Sequence, residues 1–198
     1  MTDDIRAQIQ EAAATLGRMA ETLAEPAAAA ADLLVAAFRA GRRVYVCGDG
    51  GSAAEAQHFA AELVGRFLVD RPALPCIALT TDTSVLTAVA NDYDFEQVFE
   101  RQAEAFLSEG DVLLVLSTSG LSANVLKAAA LAHKRAAKVV GLTGATGGRL
   151  KELCDVCLAV PADTSPRVQE GHLVLLHVLA TLLERTLFAR RPEEPREE

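Results

Sequence analysis

From Arg43 onward, short apolar runs alternate with longer amphipathic stretches. Runs at 43–47, 76–79, 112–116, 139–142 and 156–160 have strand length, and four of the five are almost uninterruptedly apolar. That is the pattern of parallel strands covered on both faces. Helical patterns fall between them at 53–65, 84–90, 95–107, 122–135 and 149–153, and a long final one covers about 167–188. The alternation predicts an α/β fold: a doubly wound, mostly parallel five-stranded sheet flanked by helices. The first 40 residues are rich in Ala, Leu, Met and Arg, and read as two helices broken at Pro26. The second of these runs over 27–39 to a stop at Gly41. Three parts are expected: an N-terminal helical oligomerisation segment (1–40), the main domain (41–188) and an acidic, disordered tail (189–198).

In such sheets ligands gather beyond the carboxyl ends of the strands. The first run is followed by Gly48-Asp49-Gly50-Gly51-Ser52, which leads into a helix. Glycines let backbone approach a ligand, and the helix start offers free N–H groups. Gly48, Gly50 and Ala53 loosely match a dinucleotide fingerprint, but the next strand closes on Leu79-Thr80-Thr81, without the acidic residue that would hold a ribose. The third run ends in Ser117-Thr118-Ser119-Gly120-Leu121-Ser122, again before a helix. Hydroxyls crowded at a helix N-terminus suit a phosphate dianion. The plainer alternative makes Ser122 an N-cap and the rest a polar turn.

Composition narrows the classes. A net charge of −8 and no basic run argue against nucleic acid as a partner. No apolar run approaches the ~20 residues of a membrane span, and the acidic Met1-Thr2-Asp3-Asp4 start carries no signal core, so a cytoplasmic protein is expected. The four cysteines, Cys47, Cys76, Cys154 and Cys157, read as reduced and structural, since the CxxC spacing of the last two has no second ligand pair nearby.

Two helices carry candidate catalytic groups. His58 and Glu62 are four residues apart and share a helix face. Such a pair can hold a metal or set a carboxylate base beside an imidazole, or it can be a plain surface pair. His177 stands among leucines and valines in Gln169-Glu170-Gly171-His172-Leu173-Val174-Leu175-Leu176-His177, where its ring needs a partner; a satisfied core histidine is the alternative.

Gly48-Asp49-Gly50-Gly51-Ser52-Ala53-Ala54 followed by Gln57-His58-Phe59-Ala60-Ala61-Glu62-Leu63 resembles the opening signature of the phosphoheptose isomerases, of the sugar isomerase (SIS) domain class. The likeness continues through Ala78–Ser84, Ala90-Asn91-Asp92-Tyr93, Ser117–Gly120, Gly141–Gly144 and Arg167–Glu170. It implies an SIS-domain fold and isomerisation of sedoheptulose 7-phosphate to D-glycero-D-manno-heptose 7-phosphate, for bacterial surface polysaccharide. It also implies a homotetramer holding Zn²⁺ through His58, Glu62, Gln169 and His177. Sugar contacts carry over to Asp49, Gly50, Gly51, Ser52, Glu62, Asn91, Asp92 and Gln169, and phosphate contacts to Ser117, Thr118, Ser119 and Ser122. Asp49, Leu121 and Pro166 depart from the family pattern, which leaves the exact sugar open.

Isomerisation through an enediol needs a base and an acid, and Glu62 and His177 take these roles. The sequence also resembles the replication-initiator-associating protein, a tetrameric scaffold without known catalysis, but the intact Glu62 and His177 favour the enzyme. On one straight helix Gln169 and His177 are ~12 Å apart along the axis and rotated by roughly 80°. A bend near Gly171, or a site assembled from Glu62 and His177 of different subunits, is therefore expected.

Overall fold

The computed structural model describes residues 1–188; the expected tail, 189–198, lies outside the described residues. Five strands, β1 (Val44–Gly48), β2 (Cys76–Ala78), β3 (Val112–Ser117), β4 (Lys138–Thr143) and β5 (Val156–Ala159), form one sheet in the order β2-β1-β3-β4-β5. All four pairings are parallel, and Val44 stands in register with both Cys76 and Val112. The helices are α1 (Thr2–Thr22), α2 (Ala24–Arg39), α3 (Gly51–Val64), α4 (Thr83–Asp92), α5 (Val98–Phe106), α6 (Ala123–Lys134) and α7 (Ser165–Phe188). Short 3₁₀ turns at Phe95–Gln97 and Leu150–Leu153 replace parts of two expected helices.

Strand side chains alternate between two cores, as the pleat requires. Val44, Val46, Leu114, Leu116, Val140 and Leu142 pack with α2, α3 and α7. Tyr45, Cys47, Leu113, Val115 and Val139 pack with α4, α5 and α6. Both faces being covered explains the continuous apolar runs. The strand order reverses between β1 and β3, so a crevice opens at their carboxyl ends, and the α3 and α6 N-termini border it.

The N-terminal break falls at Leu23, not at Pro26. Pro26 lies in the first turn of α2, where a missing N–H forfeits no intrahelical bond. Among the described residues, α7 alone is long and apolar enough to pass for a membrane span, with mean hydropathy 1.3, which reading the sequence run by run did not register. Here it is a core helix: Val168, Leu175, Leu176, Leu179 and Leu183 are buried against the sheet and its neighbours. Cys47 and Cys76 are buried, and all four cysteines are free thiols. Desolvation pushes the Cys76 thiol up to about 12, so it stays protonated and inert.

Leu34 of α2 is fully buried in the core shared with α7. Leu34→Ala should destabilise the protein by about 2–5 kcal/mol in urea unfolding. A change below ~0.5 kcal/mol, the range of surface substitutions, would show that α2 is not part of the fold's core.

Candidate active site

The helices α3 and α7 lie side by side and touch in step along their lengths. The Gln169 side-chain amide lies over Gly51, where an added Cβ would come within 2.6 Å of it and displace it. One turn on, His172 Nδ1 faces Glu55 Oε2 at 3.8 Å, and neither atom has a hydrogen-bond partner. His172 is fully buried, and its Nε2 donates to the Thr143 carbonyl at 3.2 Å.

Further along, three side chains converge. His58 Nε2 lies 3.0 Å from His177 Nε2 and 3.0 Å from Glu62 Oε1, and His177 Nε2 lies 3.3 Å from Glu62 Oε1. Among the described residues this is the one group of three His, Cys, Asp or Glu side chains close enough to share an ion. Four donors around a zinc ion at ~2.0–2.1 Å stand about 3.3 Å apart, so the spacing fits. Glu62 Oε2 is buried and has no partner. The alternatives of a plain surface pair and a satisfied core histidine both give way to this convergence.

The structure corrects one expectation. Glu62 and His177 meet within a single chain, so the pair needs no second subunit. The parallel course of α3 and α7 is the reason: His177 is met by residues two turns beyond Gly51, while α7 runs unbroken through Gly171. The Gln169 amide accordingly sits with the glycine loop, about two turns from His58 along α3.

The loop after β3 forms the second part of the site. Ser117 is buried, with its Oγ 3.1 Å from Ser122 Oγ. Thr118 Oγ1 lies 3.4 Å from Ser165 Oγ, and Ser119 Oγ accepts from the Leu121 N–H. Ser122 occupies the N-cap position of α6 but makes no side-chain cap bond. Its hydroxyl is turned into the serine cluster instead. Gly120 has φ +64°, and a Cβ there would run into the Gly147 carbonyl, so a second loop presses on this turn. Gly50 carries positive φ before α3, whose N-terminus also lacks a side-chain cap, and Ser52 is buried in its first turn. Asp49 Oδ1 accepts from Asn124 Nδ2 at 2.7 Å, which ties the glycine loop to α6. Asn91 and Asp92 bond to each other at the exposed end of α4, and no hydrogen bond links them to the other expected site residues among the described residues.

Sequence reasoning missed several supports. Asn124 holds Asp49, and Phe67 stacks on His177. Glu184 of α7 accepts from the backbone N–H groups of Phe67, Leu68 and Val69 at 3.0, 2.9 and 3.1 Å, and from Arg71 Nε at 3.1 Å. Arg71 also donates to the carbonyls of Glu62 and Leu63, which caps the end of α3. A lone acid in the apolar Leu182-Leu183-Glu184 stretch was the available signal.

The comparisons follow from this geometry. A family model described as SIS domain matches residues 8–144. A phosphoheptose isomerase of Geotalea uraniireducens is 52% identical over 188 residues, covering 95% of this chain and 100% of that protein. Solved phosphoheptose isomerases from Francisella tularensis and Neisseria gonorrhoeae match with TM-scores of 0.90 and 0.88 at 38% and 40% identity. They cover 93% and 92% of this chain, and 98% of each of those chains.

Burial alone would raise the Glu184 carboxyl, but the bonds from Leu68, Phe67 and Val69 together with Arg71 outweigh it and hold it below the usual carboxylate range. Such a group stabilises the fold above its unfolded value of ~4.3, and that contribution is lost as pH falls through the folded value. Urea unfolding of the wild type should therefore show stability falling on acidification below about pH 4.3, and Glu184→Gln should lose less over the same range. Equal losses would contradict this role for Glu184.

Proposed function

The chain belongs to the SIS-domain phosphoheptose isomerases, and from that premise we propose the part each residue plays. The protein is an aldose–ketose isomerase that converts sedoheptulose 7-phosphate to D-glycero-D-manno-heptose 7-phosphate, in heptose biosynthesis. The observation that carries the assignment of roles is the convergence of Glu62 with His58 and His177. A non-catalytic scaffold has no use for it.

Moving a hydrogen between adjacent carbons requires one base that can reach both. Glu62 turns Oε1 to the histidines and keeps Oε2 buried and unpartnered. We assign the Glu62 carboxylate to take the proton from one carbon and return it to the next. His177 Nε2 supplies the proton to the carbonyl oxygen as the enediol forms.

The phosphate rests on Ser117, Thr118, Ser119 and Ser122, where the α6 N-terminus adds about half a positive charge. Asp49, Gly50, Gly51, Ser52 and Gln169 line the sugar side, with Asn91 and Asp92 completing it from α4. Asp49 offers only acceptors, so it pairs with sugar hydroxyls. His58, Glu62 Oε1 and His177 would hold a Zn²⁺ ion, and Gln169 over Gly51 serves the sugar in this arrangement. When bound, the ion supplies Lewis-acid stabilisation of the enediolate oxygens. His177 Nε2 can carry a proton or an ion but not both; its proton role belongs to the metal-free enzyme, and with an ion bound His177 would be a ligand while the ion's Lewis acidity would take over that role. We take the enzyme to be a cytoplasmic homo-oligomer, expected to be a tetramer, with the N-terminal helices serving assembly.

Incubation with sedoheptulose 7-phosphate, followed by NMR, should show the aldose phosphate appearing. Glu62→Gln and His177→Asn should each cut turnover by at least ~10²-fold while remaining folded; near-normal turnover in either would remove that residue from the mechanism.

Ser119→Ala should raise KM by roughly 10-fold or more, as loss of a hydrogen bond to a charged group costs ~1.5–3 kcal/mol. An unchanged KM would take Ser119 out of the phosphate site. Chelation with EDTA should lower turnover, and added Zn²⁺ should restore it. Full activity after chelation would leave His177 its proton role alone.

A further inference from the structure

Beyond these roles, and resting on the reading of His177 as a working group, we propose that Phe67 is a positioning residue for His177, held in place by Glu184 and Arg71. The Phe67 and His177 rings lie 5.6 Å apart between centroids with 17° between their planes, a near-parallel, offset contact. His58 meets the same imidazole from another direction, at 5.2 Å and a 60° tilt. His177 is 40% exposed, and the Phe67 and His58 rings on its covered side limit its freedom to rotate out of reach of Glu62.

Phe67 needs holding in turn. It lies in a segment without helix or strand, between α3 and β2, whose next two side chains, Leu68 and Val69, are 64% and 46% exposed. Burial of these neighbours therefore does not fix the segment. Its backbone is fixed instead by the three N–H bonds to the Glu184 carboxylate. Glu184 and Arg71 side chains are 4% and 1% exposed. Charge-assisted bonds at such burial are strong and tolerate little displacement. Arg71 ties the same node to Glu62 through the Glu62 carbonyl at 2.7 Å. Since Glu184 lies two turns beyond His177 on α7, a single buried pair sets both members of the Glu62–His177 couple: one through the end of α3, the other through the Phe67 ring.

The test combines proton NMR of the imidazole with kinetics on three variants. A phenyl ring in contact shifts nearby protons through its ring current, so the His177 ring resonances, assigned by their loss in His177→Asn, report the contact. Phe67→Leu should move them and lower kcat by about 10-fold or more with KM nearly unchanged, the signature of a misplaced acid–base group. Phe67→Tyr keeps the ring and should restore both. Glu184→Gln keeps only one acceptor oxygen, sets an NH2 donor against the N–H groups the other oxygen served, and removes the charge facing Arg71, so it should also move the resonances. Unmoved His177 resonances in Phe67→Leu would overturn the proposal, as would moved resonances with wild-type kcat. The resonances report the stack whether or not the chain turns over this sugar. A wild type inert toward sedoheptulose 7-phosphate would thus sink the functional reading separately.

Discussion

Two parallel helices on one face of the sheet set the geometry of everything else at the site. Contacts between α3 and α7 proceed in step, from Gln169 on Gly51, through His172 beside Glu55, to His177 against His58 and Glu62, and end with Glu184 under the loop that leaves α3. Because both helices rise at ~1.5 Å per residue, fixing either end fixes the middle. The far end is held by a buried ion pair with its carboxylate in backbone bonds, and at the near end the Gln169 amide lies over Gly51. The sheet beneath supplies the rigid base, since each helix buries its apolar stripe in the same core. A site held this way on rigid elements keeps its groups in working geometry without help from substrate.

The proposed phosphate end depends on the sheet topology. The order β2-β1-β3-β4-β5 opens a crevice at the carboxyl ends of β1 and β3, where the glycine loop and the serine loop leave the sheet. Asn124, just inside α6, reaches across to Asp49 and couples the two loops. The proposed phosphate and proton-transfer sites thus meet at α3, whose N-terminus borders the crevice and whose third and fourth turns carry His58 and Glu62.

Sequence patterning located all five strands within one or two residues, because parallel strands buried on both faces write their burial directly as apolar runs. It also located the serine loop and the His58–Glu62 face, since both are local in sequence. What it could not locate is any relation between elements far apart in the chain. The meeting of Glu62 and His177 spans 115 residues and depends on how α7 is laid beside α3, so treating α7 alone suggested a shared site between subunits. Pro26 misled for a local reason: a proline breaks a helix interior yet sits without cost in a first turn. Glu184 was marked in sequence only as one acid in an apolar helix, a signal that does not identify the three backbone N–H groups it accepts from.

The central claim is that one chain supplies both Glu62 and His177 to each working site. The most direct test is to denature the Glu62→Ala and His177→Ala proteins together, refold the mixture, and assay it with sedoheptulose 7-phosphate. With sites built within one chain, every refolded site lacks one of the two groups and the mixture stays as inactive as its components. Recovery of activity well above that of either variant would mean that the pair is shared between subunits, and would contradict the account.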